Sequence, residues 1–324
     1  MDQLRSLRVF AQVIAQGSFA AAARSLDIAP AVVTRAVADL EAHLGARLLH
    51  RTTRKLALTK IGEMYLARVR SMLADLDDAD ALAGSASTQA RGKLRVLCPP
   101  AFAVHQLAQH LPRFRARHPH IGLDLSTPGP VDMADENFDV SILSIGQQSM
   151  QGDFVVRKLA TSSFVLCASP AYLEHRHRPE HPDDLLTHEG ILPAVAAVRH
   201  GLTLYRHTSE RPNAASDTVT VTIPPCALTT NHIDTMLAAA VSGLGIAGLP
   251  SFVAARALRD GRLERVLPDW RGVTLTLYAA MPTRKHVPAR TRLFIDFLVQ
   301  TFGGTGDDPW LALGDKAQQK INLL

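Results

Sequence analysis

Apolar residues recur at helical spacing through the first ninety positions. Leu4, Leu7, Phe10 and Ile14 predict a helix over about 3–16. Phe19, Ala22, Ala23 and Leu26 follow at i, i+3, i+4 and i+7, and Ser18 stands ready to cap them. Asp27-Ile28-Ala29 reads as a three-residue turn. Pro30 suits the first position of the next helix, where its missing N–H is no loss. Val33, Val37, Leu40 and Leu44 then bury one face, while Thr34, Arg35, Ala38 and Asp39 fill the other. A short helix, a tight turn and a second helix with small and basic residues outside suggest helix-turn-helix DNA binding. The plainer alternative is any small helical hairpin.

Gly45 ends that helix. From Arg47 to Thr59 basic or hydroxyl residues alternate with apolar ones, the pattern of a two-stranded wing. Its tip, Thr52-Thr53-Arg54-Lys55, offers donors for phosphates and an arginine for a minor groove. A long helix follows. Leu66, Val69, Leu73, Leu76, Ala79 and Leu82 form a stripe that either pairs two chains or packs on its own winged domain. Gly84 to Gly92 is a linker by composition.

Beyond the linker the period changes. Lys93–Leu97, Ile121–Leu125, Phe138–Leu143, Val156–Leu159 and Phe164–Cys167 read as strands, the last two separated by Thr161-Ser162-Ser163. A helix at about 103–117 stops at His118-Pro119, and Thr291 to Phe302 forms another. This alternation implies an α/β sheet. Gly303 to Pro309 reads as a mobile tail, with a short extra helix possible after it.

Charge sharpens the picture. Residues 1–60 hold nine Lys and Arg against four Asp and Glu. That excess of five equals the net charge of the whole chain, so the remaining residues balance at 26 of each sign. A polyanion partner for the first segment alone is the simplest reason. At 324 residues the chain is long enough for two or three domains, and 47% hydrophobic content supports packed cores. No secretory leader or membrane span is recognisable, which makes a cytoplasmic protein the expectation. Cys98, Cys167 and Cys226 are far apart, with no CxxC to suggest zinc or a disulfide framework.

Other motifs yield to plainer readings. Gly243-Leu244-Gly245-Ile246-Ala247-Gly248 matches GxGxxG, but a helix precedes it and a strand follows, the reverse of the dinucleotide order. These glycines fit a helix end and a tight strand entry, and could still border a ligand. His175, His177, His181 and His188 cluster among arginines and prolines, as in a solvated loop. No nucleophile elbow, HExxH or Walker motif is present, and no cofactor or metal is expected.

Many positions at fixed spacing make the first ninety residues resemble the LysR-type transcriptional regulators. They are Phe10 with Gly17-Ser18-Phe19, Ala21 to Leu26, Val33-Thr34-Arg35, Leu40-Glu41 with Leu44-Gly45, Leu48 with Arg51-Thr52-Thr53-Arg54, and Leu58-Thr59 with Gly62-Glu63. Two departures stand out. Ala29-Pro30-Ala31 replaces the family's usual Ser-Gln-Ser or Ser-Pro-Ser, removing a cap and polar base contacts, and the hydroxyl common near Pro99 is missing.

The resemblance implies an α + α/β architecture. A winged helix-turn-helix at 1–60 is followed by a dimerisation helix and linker at 61–91. An effector-binding domain at 92–302 has two subdomains (92–161 with 268–302, and 162–267) related in fold to periplasmic binding proteins. Residues 303–324 form an extension. The chain would cross between subdomains at Thr161-Ser162-Ser163 and return at Leu267-Pro268-Asp269. DNA contacts fall to Ser18, Pro30, Ala31, Thr34, Arg35, Arg51, Thr52, Thr53 and Arg54, and dimerisation to Leu66, Val69, Leu73 and Leu76. A small, polar or anionic effector would meet Pro99, Pro100, Ala101, Ser144, Thr161, Ser162, Ser163, Thr230, Asn231, His232 and Gly245. Implied partners are a partly palindromic duplex operator, the effector, and further copies of the chain in a homodimer or homotetramer. Two other classes remain: a small-molecule binding protein whose first helices serve assembly, and an enzyme of the 92–302 cleft.

Overall fold

A computed structural model describes residues 2–52, 55–83, 90–146, 154–195, 198, 201–206, 218–222, 226–282, 287–304, 306 and 308–311. It divides into two units, Met1–Gln89 and Ala90–Leu324.

In the first unit each helix end has a local cause. The Asp2 carboxylate accepts the Arg5 N–H and starts α1 (Gln3–Gln16), which Gly17 ends with φ 68°. Ser18 Oγ accepts the Ala21 N–H at 3.1 Å and starts α2 (Phe19–Leu26). Asp27 takes a left-handed φ of 53° that few residue types tolerate. The chain then enters α3 (Pro30–Leu44), whose N-cap Ala29 offers no side-chain hydrogen bond. β1 (Leu49–Thr52) and β2 (Lys55–Leu58) pair antiparallel as the wing, and α4 (Lys60–Ala83) follows.

Phe10, Val13, Ala22, Val33, Leu40 and Leu48 form the buried core. Leu66 and Val69 belong to that core, and Leu73 packs against it. Leu66 and Val69, expected to pair two chains, are therefore covered by their own winged unit. Among the described side chains of α4, Ile61, Met64 and Met72 are exposed large apolar residues, at 56%, 68% and 59%.

The second unit is built on two sheets that share one strand. β3 (Gly92–Leu97) leads into a helical run, α5. It opens at Pro100–Phe102, widens to i→i+5 bonding over Ala103–Leu107, tightens at Ala108–His110 and closes at Leu111–Arg117. The irregularity precedes Pro112, which has no N–H for the ladder. β4 (Ile121–Ser126) and β5 (Val140–Ile145) lie parallel to β3 on its two sides.

β6 (Phe154–Ala168) is one strand of fifteen residues rather than the two expected. Thr161, Ser162 and Ser163 continue it because β14 (Thr274–Pro282) holds them, opposite Thr276, Leu275 and Thr274. Along the way come α6 (Pro170–Glu174), β7 (Gly190–Pro193), β8 (Leu202–Arg206), β9 (Thr218–Val221), β10 (Cys226–Thr230) and α7 (Ile233–Val241). Then follow β11 (Ile246–Pro250), α8 (Ser251–Arg259), β12 (Glu264–Val266) and β13 (Trp270–Arg271), and after β14 the helix α9 (Ala289–Phe302).

The strand order is β10-β7-β11-β6-β14-β5-β3-β4, with β12 also on β6 and a separate sheet β13-β8-β9. β6 pairs with β14 over residues 154–163 and with β11 beyond, so the passage between subdomains lies within it. Leu267-Pro268-Asp269 does turn the chain, with Leu267 at φ 51°, but the turn leads into β13 of the small sheet. Re-entry comes later, where Gly272 N–H and Val273 O bond Phe164.

Candidate functional site

The outward side of α3 carries Ala31, Thr34 and Arg35, all exposed. Thr34 Oγ donates to Pro30 O at 3.0 Å, a back-bond within the first turn. The Arg35 side chain is 85% exposed, with Asp39 at 4.0 Å as a screened neighbour, so its guanidinium is available to an outside partner.

Glu41 sets the angle between this helix and the wing. Its buried carboxylate accepts the Leu48 N–H at 2.8 Å and the Leu49 N–H at 3.0 Å, fixing the base of the hairpin to α3. Gly62 completes the joint, since a Cβ there would lie 2.1 Å from Leu48 O. Ser18 acts first as the cap of α2, and its hydroxyl proton remains to be donated. Arg51 and Thr52 are in β1, but their side chains, with Thr53 and Arg54, lie outside the described residues.

The expected effector residues separate into two groups. Pro99, Pro100 and Ala101 open α5 after β3, Ser144 lies near the end of β5, and Thr230, Asn231 and His232 lead from β10 into α7. The starts of α5 and α7, one from each subdomain, are tied by His105 Nε2 and Asp234 Oδ1 at 2.6 Å. Neither helix has a side-chain cap. Sequence reasoning missed this pair; a His and an Asp within two turns of helix starts were the available signal.

The second group is committed internally. Thr161 Oγ donates to Gly306 O, Ser162 is fully buried against Ser251 Oγ at 2.8 Å, and Ser163 Oγ meets Thr274 Oγ. Gly245 also has a packing cause: a Cβ there would sit 2.3 Å from Glu189 O. These four positions therefore serve the fold before any ligand.

Cys98, Cys167 and His188 are buried within the fold. Burial pushes the Cys167 thiol up to about 12 and raises Cys98 as well, so neither is a thiolate near neutrality. His188 is buried beside Tyr172, and among the described residues no three His, Cys, Asp or Glu converge for a metal. Among them too, no helix is long and apolar enough to cross a membrane.

A winged helix-turn-helix joined to a two-subdomain α/β half defines an effector-responsive DNA-binding regulator. The model of the bacterial regulatory helix-turn-helix protein, lysR family, matches residues 4–63, and that of the LysR substrate binding domain matches 87–303. The chain belongs to the LysR-type transcriptional regulators, and its role is regulatory rather than catalytic. It is 33% identical over 294 residues to an uncharacterised HTH-type transcriptional regulator of Haemophilus influenzae, covering 90% of this chain and 97% of that one. The full-length virulence activator AphB of Vibrio cholerae is similar, with TM-score 0.56 and 26% identity over 92% of this chain and 99% of that one. So is CrgA of Neisseria meningitidis, with TM-score 0.56 and 28% identity over 92% and 98%.

Proposed function

We propose that the start of α3 and the wing contact the operator. Ala31, Thr34 and Arg35 face base edges in a major groove. Pro30 fixes an uncapped helix start, leaving the Ala31 N–H for a phosphate oxygen. Ser18 gives its hydroxyl proton to the backbone of the DNA, and Arg51, Thr52, Thr53 and Arg54 reach phosphates and minor groove. The carrying observation is that the net positive charge of the chain equals the excess in residues 1–60. Selection of genomic fragments bound by the purified full chain tests this. Two related half-sites are expected, and loss of base preference at one position in each for Arg35→Ala. Unchanged selectivity in that variant removes Arg35 from base reading.

The effector is a small polar or anionic molecule held where α5 and α7 begin, near Pro99, Pro100, Ala101, Ser144, Thr230, Asn231 and His232. Two uncapped helix starts offering backbone N–H groups support the charge preference. Binding one subdomain arrangement better than another shifts the DNA-binding arms. A thermal-shift panel of small carboxylates and phosphates is expected to raise the melting temperature with at least one member. Stabilisation by neutral compounds alone overturns the anionic preference.

Ile61, Met64 and Met72 pair two copies along α4, and dimers assemble further into tetramers. Met64→Lys with Met72→Lys is expected to lower the mass seen by light scattering. Its target being the chromosome, the protein works in the cytoplasm.

A further inference from the structure

The segment after α9 is bonded along β6. Gly303 and Gly304, at φ 95° and 63°, turn the chain out of α9 in a conformation that favours glycine. Gly304 N–H donates to Leu159 O at 2.9 Å. Thr161 Oγ donates to Gly306 O at 2.8 Å, and Ser163 N–H donates to Asp308 Oδ2 at 2.7 Å. Every second residue of β6 from 159 to 163 is thus met by every second residue from 304 to 308. Leu159 is the unpaired residue of a bulge against β14, which leaves its carbonyl for this contact.

The far end grips both subdomains. Ser251 Oγ, at the start of α8, donates to Asp308 at 2.8 Å. A carboxylate only accepts, so the proton of Ser251 goes to Asp308 and Ser162 Oγ donates to Ser251 in turn. Asp308 also accepts the N–H groups of Trp310 and Leu311, each at 3.2 Å. The Trp310 ring is buried against Phe302 of α9 and Phe252 of α8, and its Nε1–H donates to Gln106 Oε1 of α5 at 2.8 Å. Gln106 Nε2 donates to Phe252 O. Trp310 joins the core of the first subdomain and Leu311 that of the second.

We propose that Gly303, Gly304, Gly306 and residues 308–311 act as a strap that pins the two subdomains in their resting arrangement, with Asp308 as a built-in carboxylate ligand of the crossing and Trp310 as its anchor. Release of the strap frees the subdomains to move. The inference rests on the effector half moving as proposed above, and its test uses neither DNA nor effector, so a negative result overturns the strap and leaves DNA recognition standing.

The chain has two tryptophans, Trp270 and Trp310, so a Trp270→Phe background makes Trp310 the reporter. Asp308→Asn keeps the shape of the side chain and weakens its acceptance. It is expected to move Trp310 emission to longer wavelength. Hydrogen exchange on the full chain should then quicken on the order of tenfold in peptides over 100–107, 159–166 and 250–258, with those over 92–97 and 121–126 unchanged. Trp310→Ala, read by exchange alone, should give the same map more strongly. An emission shift with no change in exchange reduces the segment to a cover and overturns the strap. Acceleration spread evenly over the unit makes it a general stabiliser and overturns the strap equally.

Discussion

The start of α3 and the crossing in β6 both carry short polar side chains, and they treat hydrogen-bonding capacity in opposite ways. At α3 the helix begins without a side-chain cap, Thr34 bonds only within its own turn, and Arg35 stands 85% exposed. At the crossing, Thr161, Ser162 and Ser163 are engaged by Gly306, Ser251, Asp308 and Thr274. A surface for an outside partner leaves donors unmatched in water, where they carry little penalty. A joint within the chain matches them, because a buried hydroxyl or N–H without a partner costs about 1–3 kcal/mol.

Three substitutions test that contrast, in falling order of effect. Glu41→Ala should be the most severe, since it leaves the Leu48 and Leu49 N–H groups buried without their acceptor. A loss of roughly 2–5 kcal/mol in urea unfolding is expected, with weaker DNA binding as the wing loses its angle. A loss of DNA binding at unchanged stability would make Glu41 a contact residue instead. Arg35→Ala should alter stability by less than about 0.5 kcal/mol while removing about 1–3 kcal/mol of discrimination at one base pair. Equal loss on specific and random duplexes would reduce it to a phosphate contact. Ser162→Ala should lower stability by about 1–2 kcal/mol, with the preferred operator sequence unchanged. A changed sequence preference would place the crossing in the DNA response and break the distinction.

Legibility followed the range of the interactions. The first unit could be read locally: Ser18 caps α2, Pro30 opens α3, and Val33, Val37 and Leu40 face one core. The role of Glu41 was not visible, because its partners at 48 and 49 become neighbours only once the wing folds back. The stripe of α4 was visible, but its period cannot say whether a partner or the chain itself covers Leu66 and Val69. In sequence Thr161-Ser162-Ser163 reads as a break, since short polar residues mark loops. They are also compatible with a strand, and β14 supplies the pairing from over a hundred residues away. The glycines between Gly303 and Pro309 predict a mobile tail. Asp308-Pro309 before Trp310 is a legible helix start, yet its binding place at Ser163 lies 145 residues back.

Acid sharpens the contrast on its internal side and should produce the smallest effect. Tyr172 Oη accepts the Glu189 N–H at 3.0 Å, which leaves its proton to donate to His188 Nδ1 at 3.1 Å. That assignment follows from the hydrogen-bond network and requires a neutral ring. Burial, and next the charge of Arg176, lower the pKa of His188 from its usual 6.5. Below 6.5 the unfolded chain therefore takes up the proton before the folded one does. The contribution to stability is complete above the unfolded pKa, declines as pH falls through that value, and levels off below the folded pKa. Urea unfolding at pH 7.5 and 5.5 should show lower stability in acid for the parent, and a smaller drop for His188→Gln. Parallel drops in the two proteins would assign the acid sensitivity to other groups and leave His188 a packing residue that happens to be polar.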